Sequence, residues 1–89
     1  MIDIYKHFNS YDELKAYLND EGVNCNGICI GKGPNNDLDF SIHDDGDAIK
    51  VYWIERGIKF DYREFKISQK PSAIEYFLQL IYVNINLFR

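Results

Sequence analysis

The sequence predicts a two-layer α+β domain in the order α-β-β-β-β-α, with an antiparallel sheet and both terminal helices on one face. Three observations predict it. A capped apolar stripe with helical spacing opens the chain, alternating segments separated by Gly turns fill its middle, and a second helical stripe follows Pro71. At 89 residues the chain is expected to form a single domain, 1–89. A chain of this length buries about 60–65% of the surface its unfolded form exposes, which is enough for one modest core.

Ser10-Tyr11-Asp12-Glu13 is an S-x-x-E capping box with Phe8 ahead of it. Tyr11, Leu14, Tyr17 and Leu18 follow at spacings of three and four, and Gly22 suits the helix end, giving a helix over about Tyr11–Asp20. Val23–Ile30 reads as a strand with weak alternation, broken by Gly27. Gly31 to Asn36 is a loop by composition. Leu38, Phe40 and Ile42 then alternate with Asp39, Ser41 and His43, as in a half-buried strand.

Asp44-Asp45-Gly46-Asp47 makes a hairpin turn into a strand at Ile49–Glu55. That strand puts Ile49, Val51 and Trp53 on the core face, and Lys50, Tyr52 and Ile54 toward solvent. Arg56-Gly57 turns the chain again. The strand Ile58–Phe65 then sets Ile58, Phe60 and Tyr62 against Lys59, Asp61 and Arg63. The last three strands form a meander. Pro71 opens the second helix, expected over about Pro71–Val83, with Ile74, Phe77, Leu78 and Ile81 as its buried stripe. The tail after Val83 alternates like a strand, and its apolar residues Ile85–Phe88 would suit pairing with a second copy.

Composition narrows the function classes. Net charge is −4, which argues against binding a phosphate backbone and suits a basic protein partner. Ala48–Lys70 is locally positive, with six Lys or Arg against three Asp or Glu, so a small nucleic-acid-binding module using Lys50, Lys59, Arg63 and Lys66 is a minor alternative. No basic flank precedes an apolar run, and no apolar stretch reaches the roughly 18 residues of a membrane span. A cytoplasmic protein is the expectation. Seven Tyr, six Phe and one Trp exceed what so small a core needs, which favours some exposed aromatic contact surface.

The chief candidate site is a run of acid without base. Asp37, Asp39, Asp44, Asp45 and Asp47 fall in an eleven-residue window that holds no Lys or Arg. Their spacing is not that of a calcium loop, and carboxylates around a Gly turn lack the apolar pocket that acid/base work requires. The bland reading is a solvated rim. The sharper one is a surface that steers a basic partner, with Tyr52 as an anchor beside it. Gly31-Lys32-Gly33 lacks phosphate-loop spacing. Cys25 and Cys29 would lie about 13 Å apart on one strand at ~3.3 Å per residue, too far for a disulfide, and they lack zinc-motif partners. His43 has no nucleophile at a telling distance. The expectation is therefore no catalytic residue, no metal and no cofactor.

Val51-Tyr52-Trp53-Ile54-Glu55-Arg56-Gly57, then Phe65-Lys66-Ile67-Ser68, then Ala73-Ile74-Glu75-Tyr76-Phe77-Leu78 form a recognisable pattern. It resembles small bacterial immunity proteins that accompany polymorphic and contact-dependent growth-inhibition toxins. The resemblance covers about Ile49–Ile81. The N-terminal helix and the acidic hairpin lie outside it. It implies a non-catalytic inhibitor that binds a cognate toxin domain, often a basic nuclease, at or beside its active site. The runner-up is a nucleic-acid-mimicking anti-defence protein.

Overall fold

Ser10 starts the first helix as its motif predicts: its Oγ accepts the Glu13 N–H at 3.2 Å, in β-region backbone. The computed structural model describes residues 2–89. Helix α1 spans Tyr11–Asp20 and buries Leu14 and Leu18, while Phe8 packs on the Tyr17 ring. Strands β1 (Ile28–Ile30), β2 (Phe40–Asp45), β3 (Ala48–Glu55) and β4 (Ile58–Lys66) precede helix α2 (Lys70–Val83). The sheet order is β1-β2-β3-β4. From β2 onward it is the predicted antiparallel meander. β1 joins parallel to β2, so the sheet is mixed and not wholly antiparallel.

Both hairpin turns are the two-residue turns expected from Gly. Gly46 takes φ 63 at the first turn position, and Arg56 and Gly57 take φ 53 and 77. Such turns match the right-handed twist of the strands they join. α2 lies across β2, β3 and β4, and α1 adds Leu14 and Leu18 to the same core. Phe40, Ile42, Ile49, Val51, Ile74, Phe77, Leu78 and Ile81 fill that core. The molecule is 18 Å through its short axis, as one sheet and one helical layer require. Among the described residues no helix is long and apolar enough to cross a membrane.

Three local expectations are corrected. Val23–Ile30 is a strand only from Ile28, because Cys25–Gly27 form a 3₁₀ turn. The Asn24 side chain accepts the Asn26 N–H there, and Gly27 lies against the Phe88 ring. Leu38 does not join the core: it takes φ 67 and is exposed. The tail is not an extended strand. It forms a 3₁₀ turn at Ile85–Phe88, which buries Phe88 edge-on against Phe40 at 5.2 Å. The chain's own core therefore takes up the ring that strand pairing between copies would have used.

The fourth correction lies within β4. Register runs evenly from Ala48↔Lys66 to Val51↔Arg63, then resumes one residue out of step at Trp53↔Phe60. Asp61 and Tyr62 together oppose Tyr52, a β-bulge with Asp61 at φ 52. One extra residue reverses the parity of everything after it. Tyr62 therefore joins Lys59 and Glu64 on the helix-free face, and Arg63 joins Phe60 and Phe65 on the helix side.

Candidate functional site: the helix-free face of the sheet

Alternation on β2 sends Ser41, His43 and Asp45 to the face opposite the helices, and on β3 it sends Lys50, Tyr52 and Ile54 there. β4 adds Lys59 before the bulge and, past it, Tyr62 and Glu64. Tyr52 is the centre of this face. Its ring lies 5.7 Å from that of Tyr62 and 5.9 Å from that of His43, and the Lys59 ammonium sits over both Tyr rings at 4.9 and 5.2 Å. Sequence parity places Tyr52 on the right face but predicts it exposed, whereas it is 7% exposed. Its neighbours cover it, and Tyr62, at 41%, presents the accessible ring. The Tyr62 hydroxyl donates to the Glu64 carboxylate, which pushes the phenol up from its ordinary value.

The loop from Gly31 to Leu38 folds over the other end of this face. Ser41 Oγ, fully buried, donates to the Lys32 carbonyl at 2.6 Å. The hydroxyl proton is thereby committed, so the 3.0 Å contact with His43 Nδ1 is one in which the imidazole N–H donates and Oγ accepts. Burial lowers the His43 pKa, opposed in part by the Asp45 charge and aided by the Lys50 and Lys59 charges. Ser41 and His43 therefore hold the loop on the sheet.

The five predicted carboxylates do not form one patch. Asp39 is buried: one of its oxygens accepts the Asn35 and Asn36 N–H groups at 3.0 and 2.9 Å and lies 3.6 Å from Cys29 Sγ. Burial, then the Asp39 charge, pushes the Cys29 thiol up. Asp39 organises the loop and is closed to a partner. Asp37 accepts the Arg56 N–H at 3.0 Å, tying the loop to the β3–β4 turn. Asp44, Asp45 and Asp47 are about 20 Å away, at the far end of a six-residue strand. Asp44 faces the helices, accepting from the Tyr11 hydroxyl at 2.5 Å and the Lys70 ammonium at 3.4 Å. Asp45 is on the helix-free side, 2.6 Å from Lys50, whose hydrogen bond and charge hold its carboxyl below the usual range. Asp47 is exposed at the turn.

Asp45 and Asp47 thus border the aromatic face, while Asp37, Asp39 and Asp44 serve the fold. The residue that sequence reasoning missed is Tyr62. Its signal was Asp61, one of the few residue types that tolerates the left-handed region in mid-strand. Cys25 and Cys29 are free thiols. No family model matches the chain, and no curated protein and no solved structure matches it.

Proposed function

We propose that this chain is a non-catalytic immunity protein that binds and neutralises a cognate bacterial toxin domain, a nuclease in the form the resemblance implies. One observation carries the reading: the helix-free face is a rigid aromatic surface, with Tyr62 exposed over Tyr52 and with Lys59, Lys50, Glu64, Asp45 and Asp47 around it. Tyr-centred patches with charged rims are the usual make-up of protein-binding hot spots, and a hydrogen-bonded sheet holds them with little ordering cost. Tyr62 and Tyr52 replace Tyr52 alone as the anchor, and Asp45 and Asp47 carry the electrostatic contact.

The test is co-expression with the product of the adjacent upstream gene, which should be toxic when expressed alone. Growth should be restored and a complex should co-purify, and Tyr62→Ala should weaken that complex by about 2 kcal/mol or more. Toxicity that persists at equal expression sinks the proposal. A nucleic-acid-binding module is the second reading, favoured by the Lys59 ammonium stacked on two Tyr rings. Micromolar affinity for single-stranded RNA at physiological salt would support it. A nucleic-acid mimic is less well supported, because the carboxylates stand at two ends of β2 and one is buried.

A further inference from the structure

The bulge also reverses the face on which Arg63 stands. In regular alternation it would share the helix-free face with Lys59. Instead it stands on the helix side, with its guanidinium carbon 5.0 Å from the Phe65 ring centroid and 5.2 Å from that of Tyr76. The bulge is secured from two directions. Trp53 Nε1–H donates to the Asp61 carboxylate at 2.8 Å, and the Tyr76 hydroxyl donates to the Asp61 carbonyl at 2.8 Å. Tyr76 therefore both locks the bulge and supplies one ring on which Arg63 rests. Bulges of this kind commonly re-aim a side chain.

The result is a guanidinium held over two aromatic rings, with its N–H fork uncommitted. Among the described residues no carboxylate lies within ion-pair distance of it. It opens into a groove of about 210 Å³ between β4 and α2, walled by Phe65, Ser72, Glu75, Tyr76 and Gln79. Small-molecule sites are generally about 300–1,000 Å³, so this volume suits one inserted side chain better than a whole cofactor. Glu75 on the α2 wall is directed to His7, 4.0 Å away.

We propose that the Arg63 groove is a second binding site, one that receives an Asp or Glu side chain of a protein partner. Arg63 grips the carboxylate through two parallel N–H···O bonds, and Ser72 and Gln79 supply further donors at the mouth. A preorganised, ring-stacked guanidinium is the form in which Arg recognises planar anions best. Glu75 sets a limit on affinity by repulsion. The site is on the opposite side of the sheet from the Tyr62 surface, and its test needs no toxin, so either assignment can fail without the other.

The experiment is an NMR titration of the full chain with acetyl-Gly-Glu-Gly-amide, following the Arg63 Nε–H and the Ser72 and Tyr76 amides. Saturable shifts confined to these residues are expected, with affinity at least about ten-fold weaker for acetyl-Gly-Gln-Gly-amide, for free acetate and for inorganic phosphate. Arg63→Lys, which keeps the charge and loses the fork, should weaken the Glu peptide about ten-fold. Glu75→Gln should tighten it, most at low salt. Equal shifts with the Gln peptide, or no change in Arg63→Lys at an unchanged melting temperature, overturn the proposal. Tighter binding of phosphate than of the Glu peptide overturns the choice of ligand.

Discussion

Asp39 and His43 show how much of the acidic segment is structural. Asp39→Ala removes the carboxylate that accepts the part-buried Asn35 and Asn36 N–H groups, and hydrogen bonds to a charged group contribute about 1.5–3 kcal/mol. Urea unfolding should show a loss of that size, with partner affinity of the folded protein unchanged. His43 makes a pH prediction. Its folded pKa lies below the ordinary His value, so the unfolded chain binds the proton more readily. The stability His43 contributes is therefore complete above about pH 6.5 and falls as pH drops from there through the folded pKa. Asp45, held low by Lys50, contributes above the ordinary carboxylate range and loses that contribution as pH falls through its own folded pKa. Chemical denaturation across pH 5 to 7 should accordingly show a slope that His43→Gln flattens.

Among the elements, β4 and the C-terminal turn are the ones whose behaviour can be separated by mutation. Asp61 is the surplus residue of the bulge, so deleting it restores an even register without turning any other side chain to the wrong face. The variant loses the bonds from Trp53 and Tyr76, and should fold with a cost of about 1–3 kcal/mol. Deleting Glu64, within the regular ladder, reverses either Phe65 or the Tyr62–Arg63 pair and should cost more than deleting Asp61. Calorimetry on the two deletions makes the comparison. In the terminal turn, Phe88 is buried beside Gly27 and Phe40, and its carbonyl accepts the Asn24 N–H at 2.8 Å. Phe88→Ala should cost about 3–5 kcal/mol, the usual range for removing a buried ring, and thermal unfolding measures it.

For the whole molecule the question is how charge serves binding. Asp45 and Asp47 are the acidic residues beside the aromatic face, while Asp44 is engaged with Tyr11 and Lys70 across both helices. Reversing Asp45 and Asp47 together should lower the association rate with a basic partner and flatten its salt dependence, with little change in dissociation. Reversing Asp44 should instead lower stability, because it breaks the contact joining α1, β2 and α2. Stopped-flow association at two ionic strengths, beside a melt of each variant, separates the two effects. An association rate unmoved by the double reversal removes electrostatic steering from the proposal.

Much of this fold was legible in the chain because local chemistry specifies it. The S-x-x-E box set the start of α1, Gly46 and Arg56-Gly57 set the hairpins, Pro71 set the first turn of α2, and alternation assigned Phe40, Ile42, Ile49 and Val51 to the core. What depended on distant partners was not legible. The parallel pairing of β1 and the insertion of Phe88 join segments far apart in sequence, and Asp39 is buried only because the loop from Gly31 to Leu38 folds back over the sheet. The candidate site divided along the same line. Strand parity placed Tyr52 on the helix-free face and composition singled out Asp45 and Asp47, since parity and charge are local properties. Tertiary structure decided that Tyr62 is the exposed ring and that Arg63 turns to the helices. It did so through one extra residue, Asp61, held out of register by a Trp on the neighbouring strand and a Tyr on the helix.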